Sequence, residues 1–120
     1  MCVVDDSESI RESVPRLLAQ LGLESVAFES AESFLASGLI GQAACLILDI
    51  CLPGMSGYQL LRRLRRTGST APVIFITGQE DEVARAMEEG AVACLIKPFS
   101  EAALLDGLSK AKILFTHPPQ

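Results

Sequence analysis

Five short apolar runs, each followed by residues with helical spacing, leave this chain few folds to adopt. The runs span Cys2 to Val4, Ser25 to Phe28, Ala44 to Leu48, Pro72 to Ile76 and Val92 to Ile96. After the first run, Ile10, Val14, Leu17, Leu18 and Leu21 recur on one helical face, and Gly22 follows as a stop. Ser30 suits the cap of a short helix carrying Phe34 and Leu35, with Gly38 after it. Gly57 to Arg66 predicts a helix with Leu60, Leu61 and Leu64 inward. Glu80 to Glu89 predicts a polar helix with Val83, Ala86 and Met87 inward. Ser100 caps a last helix with Leu104, Leu105, Leu108 and Ala111 inward. Pro15 sits inside the first helix and predicts a bend near Arg11, not a break, because the apolar face continues on both sides. Strands alternating with helices imply an α/β fold around a parallel sheet. Residues 45–48 and 73–76 are apolar on both faces, as central strands of such a sheet must be.

The 120 residues fit one domain. A net charge of −5 argues against nucleic-acid binding by this chain. One basic run, Arg62, Arg63, Arg65 and Arg66, lies mostly off the Leu60/Leu64 face and reads as a solvated surface. No segment approaches the length of a transmembrane helix, and no basic start followed by an apolar core suggests a secretory signal. The four cysteines (Cys2, Cys45, Cys51 and Cys94) form no C-x-x-C pair, and His117 is the one histidine, so a zinc site is not expected. Free cysteines in apolar runs point to a reduced, cytoplasmic setting. Neither GxGxxG nor a P-loop motif is present, which argues against the dinucleotide and nucleoside-triphosphate versions of the layout.

In an open parallel sheet, sites form beyond the carboxyl ends of the strands. Strand one ends in Asp5-Asp6, strand three in Asp49, strand four in Thr77-Gly78 and strand five in Lys97-Pro98. Strand two ends in Glu29, which suggests no role. Three carboxylates at one edge repel one another unless a hard cation sits among them. Mg2+ suits such oxygen ligands, and Mn2+ is the alternative. Cation, Lys97 ammonium, Thr77 hydroxyl and Gly78 amide together suit a phosphoryl group. A carboxylate in such a receptor can be the nucleophile and form an acyl phosphate.

The motifs VVDD, LILDICLPGMSG, VIFITG and LIKPF, in this order, resemble the receiver domain of two-component response regulators. The likeness covers Val3 to about Lys110 and is greatest to receivers of the nitrogen-fixation regulator type. It implies a flavodoxin-like, doubly wound sheet of five parallel strands in the order 2-1-3-4-5, with five helices. It implies that Asp49 is the phosphoacceptor, taking its group from a sensor histidine kinase. Asp6, Asp49 and the main-chain carbonyl of Cys51 would then hold Mg2+, and Asp5 would act through a metal-bound water. Thr77, Gly78 and Lys97 would bind the phosphoryl group, and a cis peptide bond would precede Pro98. Cys51 and Gln79 would flank the path of the hydrolytic water. The receiver would occupy residues 1–115, with 116–120 a tail or the start of a linker to a DNA-binding output domain. The last helix, the fifth strand and the Glu80 to Glu89 helix would form the face for a phosphorylation-dependent homodimer.

One position departs from the pattern. Receivers usually carry an aromatic residue three positions before the lysine, and its rotation accompanies the threonine movement. Here that position is Cys94, too small to sweep the same volume, so the output is expected to depend on backbone shifts at Thr77-Gly78 and the next helix. Such a domain catalyses only its own phosphorylation and dephosphorylation. Two alternatives stay open. An aspartyl-phosphate phosphohydrolase would want a second acid two residues after the nucleophile, where Cys51 stands. A phosphorylation-independent interaction module would be expected to lack acidic or lysine positions that are present here.

Overall fold

A computed structural model describes residues 1–116. His117 and the rest of the expected tail lie outside the described residues. Twelve segments follow in order: β1 (Cys2–Val4), α1 (Glu8–Gln20), β2 (Val26–Phe28), α2 (Ala31–Ala36), a 3-10 turn (Ile40–Gln42), β3 (Leu46–Asp49), α3 (Gly57–Arg66), β4 (Val73–Thr77), a second 3-10 turn (Glu80–Glu82), α4 (Val83–Glu88), β5 (Ala93–Ile96) and α5 (Glu101–Lys110). The strands form one parallel sheet in the order 2-1-3-4-5.

Every residue of β3 and β4 is buried, because helices cover both faces of the sheet. On one face Leu48, Phe75, Phe34 and Leu64 pack the sheet against α2 and α3. On the other, Ile47, Ile74, Val14, Leu18 and Leu108 pack it against α1 and α5. The hydroxyls of Ser7, Ser30, Ser56 and Ser100 accept from backbone amides in the first turns of α1, α2, α3 and α5. Ser56 and Gln59 complete a reciprocal capping box. The Lys97-Pro98 peptide is cis.

Two expectations need correction. Ala44 is exposed and precedes β3, because pairing with β1 and β4 begins only at Leu46. The Glu80 to Glu89 helix is divided into a 3-10 turn and the six-residue α4. Three residues per turn instead of 3.6 shifts the phase of the face that follows. Met87 is accordingly 45% exposed, while Ala86 is buried. After α5 the Thr116 amide donates to the Leu21 carbonyl at 2.9 Å.

Helix α1 runs unbroken through Pro15, as expected. Proline has no amide proton, so the Arg11 carbonyl lacks its ordinary helical donor. Pro15→Ala restores that bond and is expected to stabilise the protein by about 1–2 kcal/mol, less than the full helix-interior penalty because proline also restricts the unfolded chain. Urea denaturation checks this, and an unchanged or lower midpoint would contradict it.

Candidate functional site

The parallel sheet brings the polar strand ends to one edge. Asp5 and Asp6 follow β1, Asp49 closes β3, Thr77 closes β4, and Lys97 follows β5. One oxygen from each of Asp5, Asp6 and Asp49 lies within 4.8 Å of the other two. Asp5 is fully buried, Asp49 and Thr77 are nearly so, and Asp6 is exposed. The cluster therefore opens to solvent on the Asp6 side.

Lys97 bridges the two buried acids. Its Nζ lies 3.0 Å from Asp5 Oδ2 and 3.2 Å from Asp49 Oδ2. It donates a hydrogen bond to Asp49 and holds Asp5 as an ion pair. Beyond that ion pair, Asp5 Oδ2 is a buried carboxylate oxygen with no hydrogen-bond partner. The other Asp5 oxygen accepts from the Ser7 amide at 2.8 Å, and Arg11 Nη1 donates to the Asp5 carbonyl at 3.1 Å. Asp49 Oδ1 accepts from the Cys51 amide at 3.0 Å, so the chain folds back on the acid immediately after β3.

Burial, and then repulsion from Asp5, pushes the Asp49 carboxyl up to about 6. The Cys51 amide and Lys97 oppose that rise without cancelling it. For Lys97, burial works against the charge, but Asp5 and Asp49 outweigh it and hold the ammonium above its ordinary range. An acid cluster this hard, with one lysine for three carboxylates and an open side at Asp6, fits a small divalent cation with oxygen preference.

Other expected residues lie farther from the carboxylates' own contacts. Thr77 Oγ1 accepts from the Gln79 amide at 3.0 Å, a local turn rather than a bond to the acids. Gly78 is exposed, and nothing lies within 4 Å of where a Cβ would stand. Cys94 packs on the core that contains Phe75, its register partner across β4 and β5.

The response regulator receiver domain family matches residues 1–109. The chain belongs to this family. Nodulation protein W of Bradyrhizobium diazoefficiens is 44% identical to this receiver over 111 residues, which cover 91% of the chain and 49% of that protein. The transcriptional regulatory protein FixJ of Azorhizobium caulinodans is 38% identical over 105 residues, covering 86% of the chain and 50% of the relative. The structure of the response regulator StyR matches with a TM-score of 0.82 at 41% identity, over 92% of the receiver and 57% of StyR. The chemotaxis protein CheY4 of Vibrio cholerae matches at 0.81 with 26% identity, over 92% of this chain and 95% of its own. The receiver spans about half the length of the curated relatives it matches. Among the described residues, no helix is long and apolar enough to cross a membrane.

Two contacts are not legible in the sequence, one at the acid cluster and one at Phe75. From the sequence Arg11 marks only the point of a bend, yet it anchors the backbone of Asp5. Tyr58 was not placed on the inner face of α3, although it stands one helical step before Leu61 and is buried. The i, i+3 spacing was the available signal for that burial.

Proposed function

We propose that this receiver accepts a phosphoryl group on Asp49 from a phosphohistidine of a sensor kinase. The observation that carries the reading is Lys97 bridging a buried acid pair at the carboxyl edge of the sheet, with Asp6 beside it. An Asp49 oxygen attacks phosphorus, the new P–O bond forms, and the P–N bond to the histidine breaks. The electron pair returns to the imidazole nitrogen. With its pKa near 6, Asp49 is mostly ionised at neutral pH and so is a competent nucleophile.

Asp6, Asp49 and the Cys51 carbonyl would hold Mg2+ or Mn2+, with Asp5 acting through a water. A bound divalent cation supplies charge neutralisation for the acids and the phosphoryl oxygens. Lys97, already against both acids, follows the charge onto the phosphoryl group. Thr77 Oγ1 exchanges the Gln79 amide for a phosphoryl oxygen, and the Gly78 amide donates to another. The chain turns over no external substrate. Residues 1–115 form the receiver, and the following residues lead toward an output domain that regulates transcription. The face built from α4, β5 and α5 serves a phosphorylation-dependent homodimer.

The test is the intact mass after incubation with Mg2+ and acetyl phosphate. One phosphoryl group is expected on the parent chain. None is expected on Asp49→Asn or in the presence of a chelator. An unmodified parent chain under these conditions would overturn the assignment and favour an interaction module. Rapid phosphate release from assorted monoesters would favour a hydrolase.

A further inference from the structure

Cys94 shares its packed face of the sheet with an aromatic ring from a different element. Tyr58, the second residue of α3, is 4% exposed. Its ring stacks edge-on against Phe75 with centroids 5.1 Å apart. Phe75 is the register partner of Cys94 and stands two residues before Thr77 on β4. The Tyr58 hydroxyl donates to Glu82 Oε2 at 2.7 Å. The Arg85 guanidinium lies over the ring, 4.4 Å from its centroid. Burial and then Glu82 hold the phenol above its ordinary range, so it stays a donor.

Glu82 ends the 3-10 turn that begins just after Gln79, and its amide donates to the Gln79 carbonyl at 3.2 Å. The Gln79 amide in turn donates to Thr77 Oγ1. A short hydrogen-bonded path therefore runs from Thr77 through Gln79 and Glu82 to Tyr58. It ties α3 to the first turn leading into α4, on the same face as Cys94.

We infer that Tyr58, clasped by Glu82, is the positioning residue that holds the turn into α4 in its resting place until Thr77 moves, in place of an aromatic side chain at position 94. The inference rests on phosphorylation of Asp49. Once Thr77 turns to the phosphoryl group, the Gln79 amide loses its acceptor. The 3-10 turn then shifts and Glu82 releases the phenol. The clasp thus belongs to the unphosphorylated arrangement and holds the switch back.

The chain has one tyrosine and no tryptophan, so its intrinsic emission reports Tyr58 alone. A carboxylate bonded to a phenol quenches that emission. Emission and intact mass are therefore followed together during incubation with Mg2+ and acetyl phosphate. The mass gain is expected with a rise in emission, and Glu82→Gln is expected to start at the higher emission and stay there. Tyr58→Phe keeps the ring, its stack on Phe75 and the Arg85 contact, and loses only the clasp. It is expected to take up the phosphoryl group about three- to tenfold faster, because the resting arrangement loses one charge-assisted hydrogen bond. A mass gain with unchanged emission, or with an unchanged rate in Tyr58→Phe, overturns the clasp and leaves Asp49 as acceptor. No mass gain overturns the acceptor assignment and the clasp with it.

Discussion

Asp49→Asn is expected to be more stable than the parent chain at pH 7 without metal, by about 3 kcal/mol. The cause is the cost of the charge the variant removes. Burial and Asp5 raise the folded-state pKa of Asp49 from 3.8 to about 6. A carboxyl raised on folding is bound more tightly to its proton in the folded state. Its penalty is absent below about pH 4, grows between about pH 4 and pH 6, and is complete above that range. The variant's advantage should therefore shrink as pH falls through this window. Lys97 keeps its contact with Asp5 in the variant, so the cation is not stranded. Excess Mg2+ should reverse the order if it binds as proposed, because binding would stabilise the parent chain and the variant would lack one proposed carboxylate ligand. Urea denaturation at several pH values, with chelator or with Mg2+, reads all three effects. A parent chain more stable than Asp49→Asn at pH 7 in chelator would sink the electrostatic account.

The second large effect is expected at Gly57. A Cβ there would sit inside the van der Waals contact of the Asp49 carbonyl oxygen and 3.0 Å from Ile50 Cα. Both neighbours are backbone at the end of β3, so neither can turn aside as a flexible side chain could. The Gly57 amide also donates to the Ile50 carbonyl at 3.0 Å, which pins the start of α3 against the strand. Gly57→Ala must push α3 or the Asp49 backbone away, at about 2–4 kcal/mol. Since the displaced backbone carries the proposed nucleophile, phosphoryl uptake should slow together with the loss of stability. Gly41→Ala is the matched control, because nothing lies within 4 Å of its Cβ position. Its midpoint should move by less than about 0.5 kcal/mol. Equal midpoints for the two variants would show that α3 tolerates the added methyl group.

Legibility followed the physics of each element. The strands β3 and β4 were readable because burial on both faces leaves an uninterrupted apolar run. The caps were readable where a serine precedes a helical pattern, as at Ser30 and Ser100. The segment between Glu80 and Glu89 was not, because a 3-10 turn and an α-helix use the same acidic residues and differ only in hydrogen-bond spacing. Ala44 was misread because an apolar run does not reveal where partner strands begin.

The site divides in the same way. Sequence alone determined that Asp5, Asp6, Asp49, Thr77 and Lys97 stand at the ends of apolar runs, and a parallel sheet sends all such ends to one edge. Tertiary structure decided the rest, because distances between strands depend on packing that no local pattern encodes. It brought Lys97 against both Asp5 and Asp49, left one Asp5 oxygen without a hydrogen bond, and turned Thr77 toward Gln79. It also placed Tyr58 of α3 against Phe75 and Glu82, a meeting of three segments that are far apart in the chain and adjacent only once the sheet and its helices have packed.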